Sequence, residues 1–211
     1  GVTPEDLAEA IEGYDKVISE RKKHFEMHTA QREEFNDLKE EARHDFSQGL
    51  PLHLSTLLLV IDMGQNVSSP HLGGEQWGDF YYMSPLTHLI FGVACPAEQF
   101  MNTYIWEEAD ANRGADNIIS CLFLDLVRRG VIGNTGRPLK HLALAADNCS
   151  GQNKNKAMLK FCAWLVEAGW VEKVTLLFLV KGHTKNDCDR MFNLLKRGMD
   201  GEDIWTAVEL D

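Results

Sequence analysis

Apolar residues are spaced differently at the start of the chain and in the rest of it. Over residues 4–46 they recur at intervals of three and four, the spacing of one helix face. The first members of this series are Leu7, Ile11, Tyr14 and Ile18. Pro4 and the two acids after it are typical of a first helical turn. We therefore predict an N-terminal helical arm at residues 1–50, which either packs on a domain or a partner or is a solvated helix.

From residue 51 onward, short apolar runs separated by turn residues predict strands that later alternate with helices. The predicted strands are Leu54–Ile61, Trp77–Met83, Leu89–Ala94, His141–Ala146 and Val174–Val180. The predicted helices are Ala115–Arg129, Lys156–Ala168 and Asp187–Arg197. Strands in succession favour an antiparallel meander, and alternation with helices favours parallel pairing. Residues 51–211 are thus predicted to form an α/β domain of ribonuclease H-like layout, in which a three-strand antiparallel meander plus two parallel strands make a mixed sheet flanked by helices.

The net charge of −11 argues at first against a nucleic-acid partner, but the charge is unevenly distributed. Residues 1–46 hold 13 Asp or Glu and 7 Lys or Arg, whereas residues 141–200 hold 6 Asp or Glu and 9 Lys or Arg. The later segment is locally basic, so the total charge does not exclude DNA.

The cysteines and the longest apolar run indicate the compartment. The 5 cysteines are widely spaced and contain no C-x-x-C pair, which indicates reduced thiols inside the cell and argues against a zinc knuckle. The longest apolar run, Leu89–Cys95, is too short to cross a bilayer. We expect an intracellular protein without a membrane partner.

Aspartates stand at three predicted element boundaries. Asp62 follows the first strand, Asp147 follows the fourth, and Asp187 or Asp189 opens the last helix. In a ribonuclease H-like sheet the first and fourth strands are neighbours and the helix after the fifth returns beside them, so these acids would converge. Massed carboxylates repel unless a cation compensates, and oxygen ligands favour Mg²⁺ or Mn²⁺. We predict two ions about 3.5–4 Å apart that hold the oxygens of a phosphoryl displacement; for any single acid the alternative is a cap or a loop carboxylate.

The tract after Asp147, "NCSGQNKNK" at residues 148–156, has hardly an apolar side chain. Its amides can donate to phosphate oxygens and its lysines can neutralise them. The residues assigned to nucleic-acid binding here are Asn148, Gln152, Asn153, Lys154 and Lys156. The alternative is a helix N-terminus rich in capping residues, which accounts for one or two of the side chains.

A second polar stretch, "GHTKNDCDR" at residues 182–190, follows the fifth predicted strand. His183 lies just past the strand end, where it would touch the scissile phosphate or the third acid; the alternative is a histidine that caps the strand. Lys185 and Arg190 add positive charge, and Arg190 suits a phosphate better than it suits the first turn of a helix.

The segments "ADNCSGQNKN" and "FLVKGHTKNDCDRMFNLLK" resemble a transposase-derived domain of eukaryotic mobile elements, in the DDE/D integrase-like branch of the ribonuclease H-like superfamily. The resemblance covers about residues 54–197 and is weaker upstream. It implies Asp62, Asp147 and Asp189 as catalytic, metal-binding acids, with His183 as a further catalytic residue. Asp189 is preferred to Asp187 because the family pattern keeps an acid immediately before Arg190.

The sequence therefore predicts a metal-dependent catalytic core that cleaves DNA strands and transfers them. The alternatives are a plain ribonuclease H-like nuclease and a domesticated, inactive domain that binds nucleic acid or protein. A working transposase also implies a nuclear location and further DNA-binding modules outside this sequence. A homo-oligomer is compatible with this function.

Overall fold

The computed structural model describes residues 4–74, 78, 82–133, 135–179 and 187–206, with the backbone alone for residues 4–10. The helices are α1 (Pro4–Ser47), α2 (Ala115–Arg128), α3 (Lys156–Glu167) and α4 (Asp187–Met199), with a 3-10 turn at Leu52–Leu54. The strands are β1 (Thr56–Met63), β2 (Val67–Ser69), β3 (Leu86–Cys95), β4 (Phe100–Glu107), β5 (Leu139–Asp147) and β6 (Val171–Leu179). Within these ranges no helix combines the length and the apolar character that a membrane span needs.

The strands form one mixed sheet with β1 near its centre. β1 is parallel to β5, which is parallel to β6. On the other side β3 is antiparallel to β1, and β4 is antiparallel to β3. His88 of β3 pairs with Glu107 of β4 and with Val67 of β2, so the short β2 lies on the β1 side of β3. The predicted α/β class, with a mixed sheet flanked by helices, is confirmed.

The antiparallel strands differ from the sequence prediction. Most of the strand predicted at Trp77–Met83 lies outside the described residues, and its last two residues, Tyr82 and Met83, are not in a strand. The apolar pattern predicts no strand at Phe100–Glu107, where β4 forms the edge of the sheet. Most positions of β4 are half-buried, and its sequence FMNTYIWE does not alternate between apolar and polar residues. An edge strand of this kind lacks the period-two signal on which the prediction depends.

The sheet separates two hydrophobic cores, and β1 contributes to both. Leu59 and Ile61 point to the core shared with α2 and α3, whereas Leu58 and Val60 point to the core shared with α1 and α4. This alternation follows from the two-residue period of a strand. The α1/α4 face is the face on which the candidate site lies.

Helix α1 is joined to the sheet by its C-terminal part. Phe35, Leu38 and Ala42 are buried in the core of that face. The Asp45 carboxylate accepts a 2.8 Å hydrogen bond from the backbone N–H of Thr56, which ties the end of α1 to the start of β1. Nearer the N-terminus the apolar side chains are exposed, at Ile11, Tyr14, Val17, Ile18 and Phe25. Packing on the domain is thus seen for the C-terminal part of the predicted arm.

Candidate active site

Asp62 and Asp147 occupy equivalent positions on two adjacent parallel strands. β1 and β5 pair in constant register as far as Val60 opposite Ala145, and each aspartate lies two residues further on. Continuation of this register would bring them opposite each other at the carboxyl ends of strands that lie about 4.8 Å apart where they pair. Because side chains alternate along a strand, both carboxylates lie on the α1/α4 face, like Val60 and Ala145.

The loop after β5 holds Asp147 in place. Its Oδ1 accepts a 2.6 Å hydrogen bond from the side-chain amide of Asn153 and a 3.2 Å hydrogen bond from the backbone N–H of Cys149. Asn153 is only 3% exposed, so its amide serves to orient the carboxylate. Both hydrogen bonds end on Oδ1, and among the described residues none is seen to donate to Oδ2.

Two side chains fix α4 against β1 and β3. Cys188 is fully buried, and its thiol donates a 3.1 Å hydrogen bond to the backbone carbonyl of Val60. Phe192 packs over Gly64 and Gly92, where an added Cβ would lie 3.0 Å and 2.8 Å, respectively, from its ring. The absence of a side chain at these glycines lets α4 approach the sheet, and its acidic first turn comes to lie near the end of β1.

The acids of β1 and α4 share one electrostatic neighbourhood. Burial raises the pKa of the Cys188 thiol, and the negative charges of Asp62, Asp187 and Asp189 raise this pKa further. Asp187 and Asp189 flank Cys188 in the chain, and its thiol contacts Val60, two residues before Asp62. Asp62 is therefore near Asp147 on one side and near the first turn of α4 on the other.

The two acids of α4 have different surroundings. Asp187 accepts a 2.6 Å hydrogen bond from the ammonium group of Lys39, and the two side chains are 13% and 20% exposed. This ion pair joins α4 to α1. Asp189 is exposed and lines a cavity of about 520 Å³ together with Met63 and Gly64, the residues that directly follow Asp62. Asp187 thus has a structural ion pair, whereas Asp189 borders the open space beside the end of β1.

The residues predicted to contact phosphates differ in exposure. Those at the surface are Asn148, Lys154, Lys156 and Arg190. Gln152 is half-buried, and Asn153 is turned inward to Asp147. Asn155 caps α3, since its side chain accepts a 3.0 Å hydrogen bond from the N–H of Met158. Two amides of the tract therefore serve the fold. Of the exposed cations, Arg190 lies 3.9 Å from the Asp187 carboxylate and Lys154 lies over the Phe178 ring. His183 and Lys185 lie outside the described residues.

Asp62 and Asp147 offer the kind of donors that a hard cation prefers. Carboxylate oxygens are typical ligands of Mg²⁺ and Mn²⁺, and Asp147 is half-buried at the end of its strand. Over the described ranges no group of three or more His, Cys, Asp and Glu side chains is arranged to hold a metal ion. The residues present fit as a ligand pair from the strands, with Asp189 as the further candidate from α4.

Sequence reasoning missed two supports of the site. The Asn153 amide that orients Asp147 lies in a tract interpreted as phosphate-binding, and only its burial distinguishes it from its neighbours. Lys39, the partner of Asp187, is 148 residues away in the chain. Their pairing depends on how α1 docks against the sheet, for which the sequence carries no local signal.

Residues 80–211, more than half of the chain, match the family described as Domain of unknown function (DUF7869). The matched segment contains Asp147 and Asp189, whereas Asp62 precedes it. No curated protein and no solved structure matches the chain significantly. On the extent of the family match, the chain belongs to the DUF7869 family.

Proposed function

We propose that the protein is a divalent-metal-dependent phosphoryl transferase that cleaves DNA strands and transfers them to new ends. The observation that carries the proposal is the pair Asp62 and Asp147, in register at the carboxyl ends of β1 and β5, with the acids of α4 nearby. The carboxyl ends of parallel strands are where open α/β sheets bind their ligands. The transposase-like resemblance of the two polar motifs gives the reaction class.

The strand order supports a ribonuclease H-like fold as the finer class. With the short β2 taken as a continuation of β1 along β3, the order is β4-β3-β1-β5-β6. β5 is then the fourth strand and lies beside the first. Helix α4 follows the fifth strand and returns to β1, through the contact of Cys188 with Val60. This is the arrangement expected to gather three distant acids at one edge of a ribonuclease H-like sheet.

Asp62, Asp147 and Asp189 are the residues that would hold Mg²⁺ or Mn²⁺. Bound ions would supply Lewis-acid activation of the phosphate and of the attacking water or 3′-hydroxyl. The chain itself contributes orientation, because Asn153 holds Asp147 in one rotamer through a buried amide. Asp187 is paired with Lys39 of α1. This pairing favours Asp189 as the third ligand.

Lys154, Lys156 and Arg190 would bind the DNA backbone, and His183 and Lys185 would act with them at the scissile phosphate. The exposed cations lie on the loop after Asp147, at the start of α3 and on α4, in the segment where Lys and Arg outnumber Asp and Glu. Phosphate contacts position a strand without reading its sequence. Recognition of particular DNA ends would therefore need other modules, and a nuclear location follows from the substrate.

The test is Mg²⁺- or Mn²⁺-dependent nicking of supercoiled plasmid, together with joining of a pre-cut oligonucleotide that has a free 3′-hydroxyl. We expect Asp147→Asn to reduce both activities by at least about 100-fold, because it removes a ligand charge. The matched control is Asp110→Asn, at an exposed turn between β4 and α2, which should retain activity. Equal rates for wild-type and Asp147→Asn protein would refute the assignment. Nicking without joining would indicate a plain nuclease, and neither activity would indicate an inactive binding domain.

A further inference from the structure

The cavity beside Asp189 is lined by apolar side chains and by side-chain amides. Its volume is about 520 Å³, and it lies between α4 and the segment that connects β1 to β2. The apolar part of its lining includes Met63, Ile90, Phe192 and Met199. The side-chain amides around it are those of Gln65, Asn66 and Asn193. Apart from Asp189, none of these residues belongs to the proposed catalytic set.

Contacts between distant segments hold the walls of this cavity. The backbones of His71 and Ile204 exchange hydrogen bonds of 2.7 and 2.8 Å, and the N–H of Gly73 donates to the Asp203 carboxylate at 3.0 Å. A Cβ at Gly73 would lie 2.3 Å from the backbone of Gly201, so the two segments are in close contact. The chain after α4 is therefore fastened to the chain after β2, and the space between them is part of the fold.

The amide of Asn66 is also fixed in orientation. Its side-chain carbonyl accepts a hydrogen bond from the guanidinium group of Arg113, a residue from the loop before α2. The N–H of Gly64 donates a 2.8 Å hydrogen bond to the carbonyl of Ile90, which anchors the start of the same connection to β3. Asn66 and Gly64, both at the cavity, are thus held by contacts with two other parts of the chain.

We propose that this cavity receives one unpaired nucleobase of the DNA strand whose phosphate lies at the acidic site. This inference rests on the proposed function, because Asp189 borders both the acids and the cavity. A nucleobase has apolar faces and a polar edge, which match an aromatic and aliphatic wall opposite side-chain amides. The volume falls within the range of about 300–1,000 Å³ for small-molecule sites. Enzymes that do chemistry on a base extrude it from the duplex into a pocket that stacks and hydrogen-bonds it.

The charges around the cavity favour a base over a phosphate inside it. Asp189 and Asp200 both line the space, together with Lys196. The two carboxylates outnumber the one ammonium group among these three residues, which disfavours an anionic group in the cavity, whereas a neutral base is not repelled. The phosphates of the same strand would remain outside, near Lys154, Lys156 and Arg190. The cavity would therefore bind one base, and the cations would bind the phosphates of the same strand.

The first experiment measures base binding without divalent ions, so that it does not depend on cleavage. The probe is the deoxyriboside of 2-aminopurine, whose fluorescence changes when its base is stacked. We expect wild-type protein to bind it and Asn193→Trp, which fills the mouth of the cavity, to bind it about tenfold more weakly. The matched control is Leu194→Trp at the next position of α4, which is 56% exposed and is not among the residues that line the cavity. This control should leave binding within about twofold of wild type.

A second arm uses a single-stranded oligonucleotide, intact or with one abasic position next to the site of cleavage. Asn193→Trp should weaken binding of the intact strand and leave binding of the abasic strand unchanged. Ser68→Trp, on the opposite wall of the cavity, should act in the same way and replaces Asn193→Trp should that variant fail to fold by circular dichroism.

The outcomes separate this inference from the proposed function. No binding of the nucleoside by wild-type protein, or equal binding by the Asn193→Trp and Ser68→Trp variants, would overturn the base site even where Asp147→Asn abolishes metal-dependent cleavage. Nucleoside binding that the variants weaken, in a protein that neither nicks nor joins DNA, would support the base site and overturn the proposed function.

Discussion

Replacing the two acids of α4 one at a time should separate a structural carboxylate from a metal ligand. Asp187→Asn removes the negative charge that lies 2.6 Å from the Lys39 ammonium, in a pair with side chains 13% and 20% exposed. Asp189→Asn changes an exposed residue two positions along the same helix. Both substitutions preserve the shape of the side chain, so any difference in outcome reports the electrostatic surroundings.

The expected loss of unfolding free energy for Asp187→Asn is about 1–2 kcal/mol. This value lies between about 0–1 kcal/mol for exposed ion pairs and about 3–5 kcal/mol for breaking a fully buried one. In a domain of this size 1 kcal/mol shifts the melting temperature by about 2–4 °C, so a decrease of roughly 2–8 °C follows. Asp189→Asn, at an exposed position, should change the unfolding free energy by less than about 0.5 kcal/mol.

The assay is thermal unfolding by circular dichroism, first in EDTA and then in Mn²⁺. A ligand that binds only the folded state raises the melting temperature, so wild-type and Asp187→Asn proteins should gain stability from Mn²⁺ and Asp189→Asn should gain much less. A larger loss of stability in EDTA for Asp189→Asn than for Asp187→Asn would refute the assignment of roles. An equal Mn²⁺ effect on wild-type and Asp189→Asn protein would refute Asp189 as a ligand.

Three further predictions concern the DNA contacts, the packing of α4 and the response to pH. Replacing Lys154 and Lys156 by Gln should weaken DNA binding and lower the log–log salt slope by nearly one unit for each phosphate that is no longer neutralised, measured by fluorescence anisotropy between low and moderate salt. Gly92→Ala should destabilise the fold by about 1–3 kcal/mol in denaturant unfolding, because the new Cβ would lie 2.8 Å from the Phe192 ring. Burial and the nearby positive charges lower the pKa of His141; the unfolded chain therefore binds a proton near pH 6.5 that the folded chain does not. Stability should fall as the pH drops below about 6.5, and less so in His141→Asn.

Each of these predictions has a control in the chain. Lys160→Gln changes an exposed cation further along α3 and should leave the salt slope unaltered. If the Lys154 and Lys156 double variant also keeps the wild-type slope, those lysines are ordinary solvated charges. Gly198→Ala adds a Cβ that meets nothing within 4 Å, so it should be neutral or stabilising, and an equal effect of Gly92→Ala would contradict the close packing of Phe192. An equal fall in melting temperature between pH 7 and pH 5.5 for wild-type and His141→Asn protein would contradict the buried neutral imidazole.

Buried strands and amphipathic helices could be predicted from the sequence because their patterns are local. β5 contains the unbroken apolar run Leu142–Ala146 and extends from Leu139 to Asp147, close to the predicted His141–Ala146. Helix α3 begins at Lys156 as predicted, where the Asn155 side chain supplies its N-terminal cap. The placement of Asp62 and Asp147 at strand ends followed in the same way. In each of these cases burial on one or both faces produces a run or a period that the sequence displays directly.

What could not be predicted depends on contacts between distant residues or on an edge position. Within the described ranges β4 pairs with β3 alone, and its residues are neither fully buried nor alternately exposed. The different roles assigned to Asp187 and Asp189 depend on Lys39. This lysine reaches α4 only because the end of α1 packs on the sheet. The need for a glycine at position 92 is visible only in the structure, where the Phe192 ring packs over it.

The surroundings of Asp147 are costly for the fold taken alone, and this is the strongest physical reason to assign it a ligand. Adjacent strands lie about 4.8 Å apart where they pair, so carboxylates at the ends of β1 and β5 are near enough to repel each other. The carbonyl oxygen of the Asn153 side chain is buried without a hydrogen-bond partner in the described part of the chain, which costs about 1–3 kcal/mol. An uncharged residue at position 147 would remove the repulsion without disturbing β5. Destabilising features that converge on one carboxylate are typical of functional sites, and a bound cation would offset the repulsion between the acids. Asp147→Asn should therefore leave the melting temperature in EDTA unchanged or raised, although we expect it to end the proposed metal-dependent catalysis.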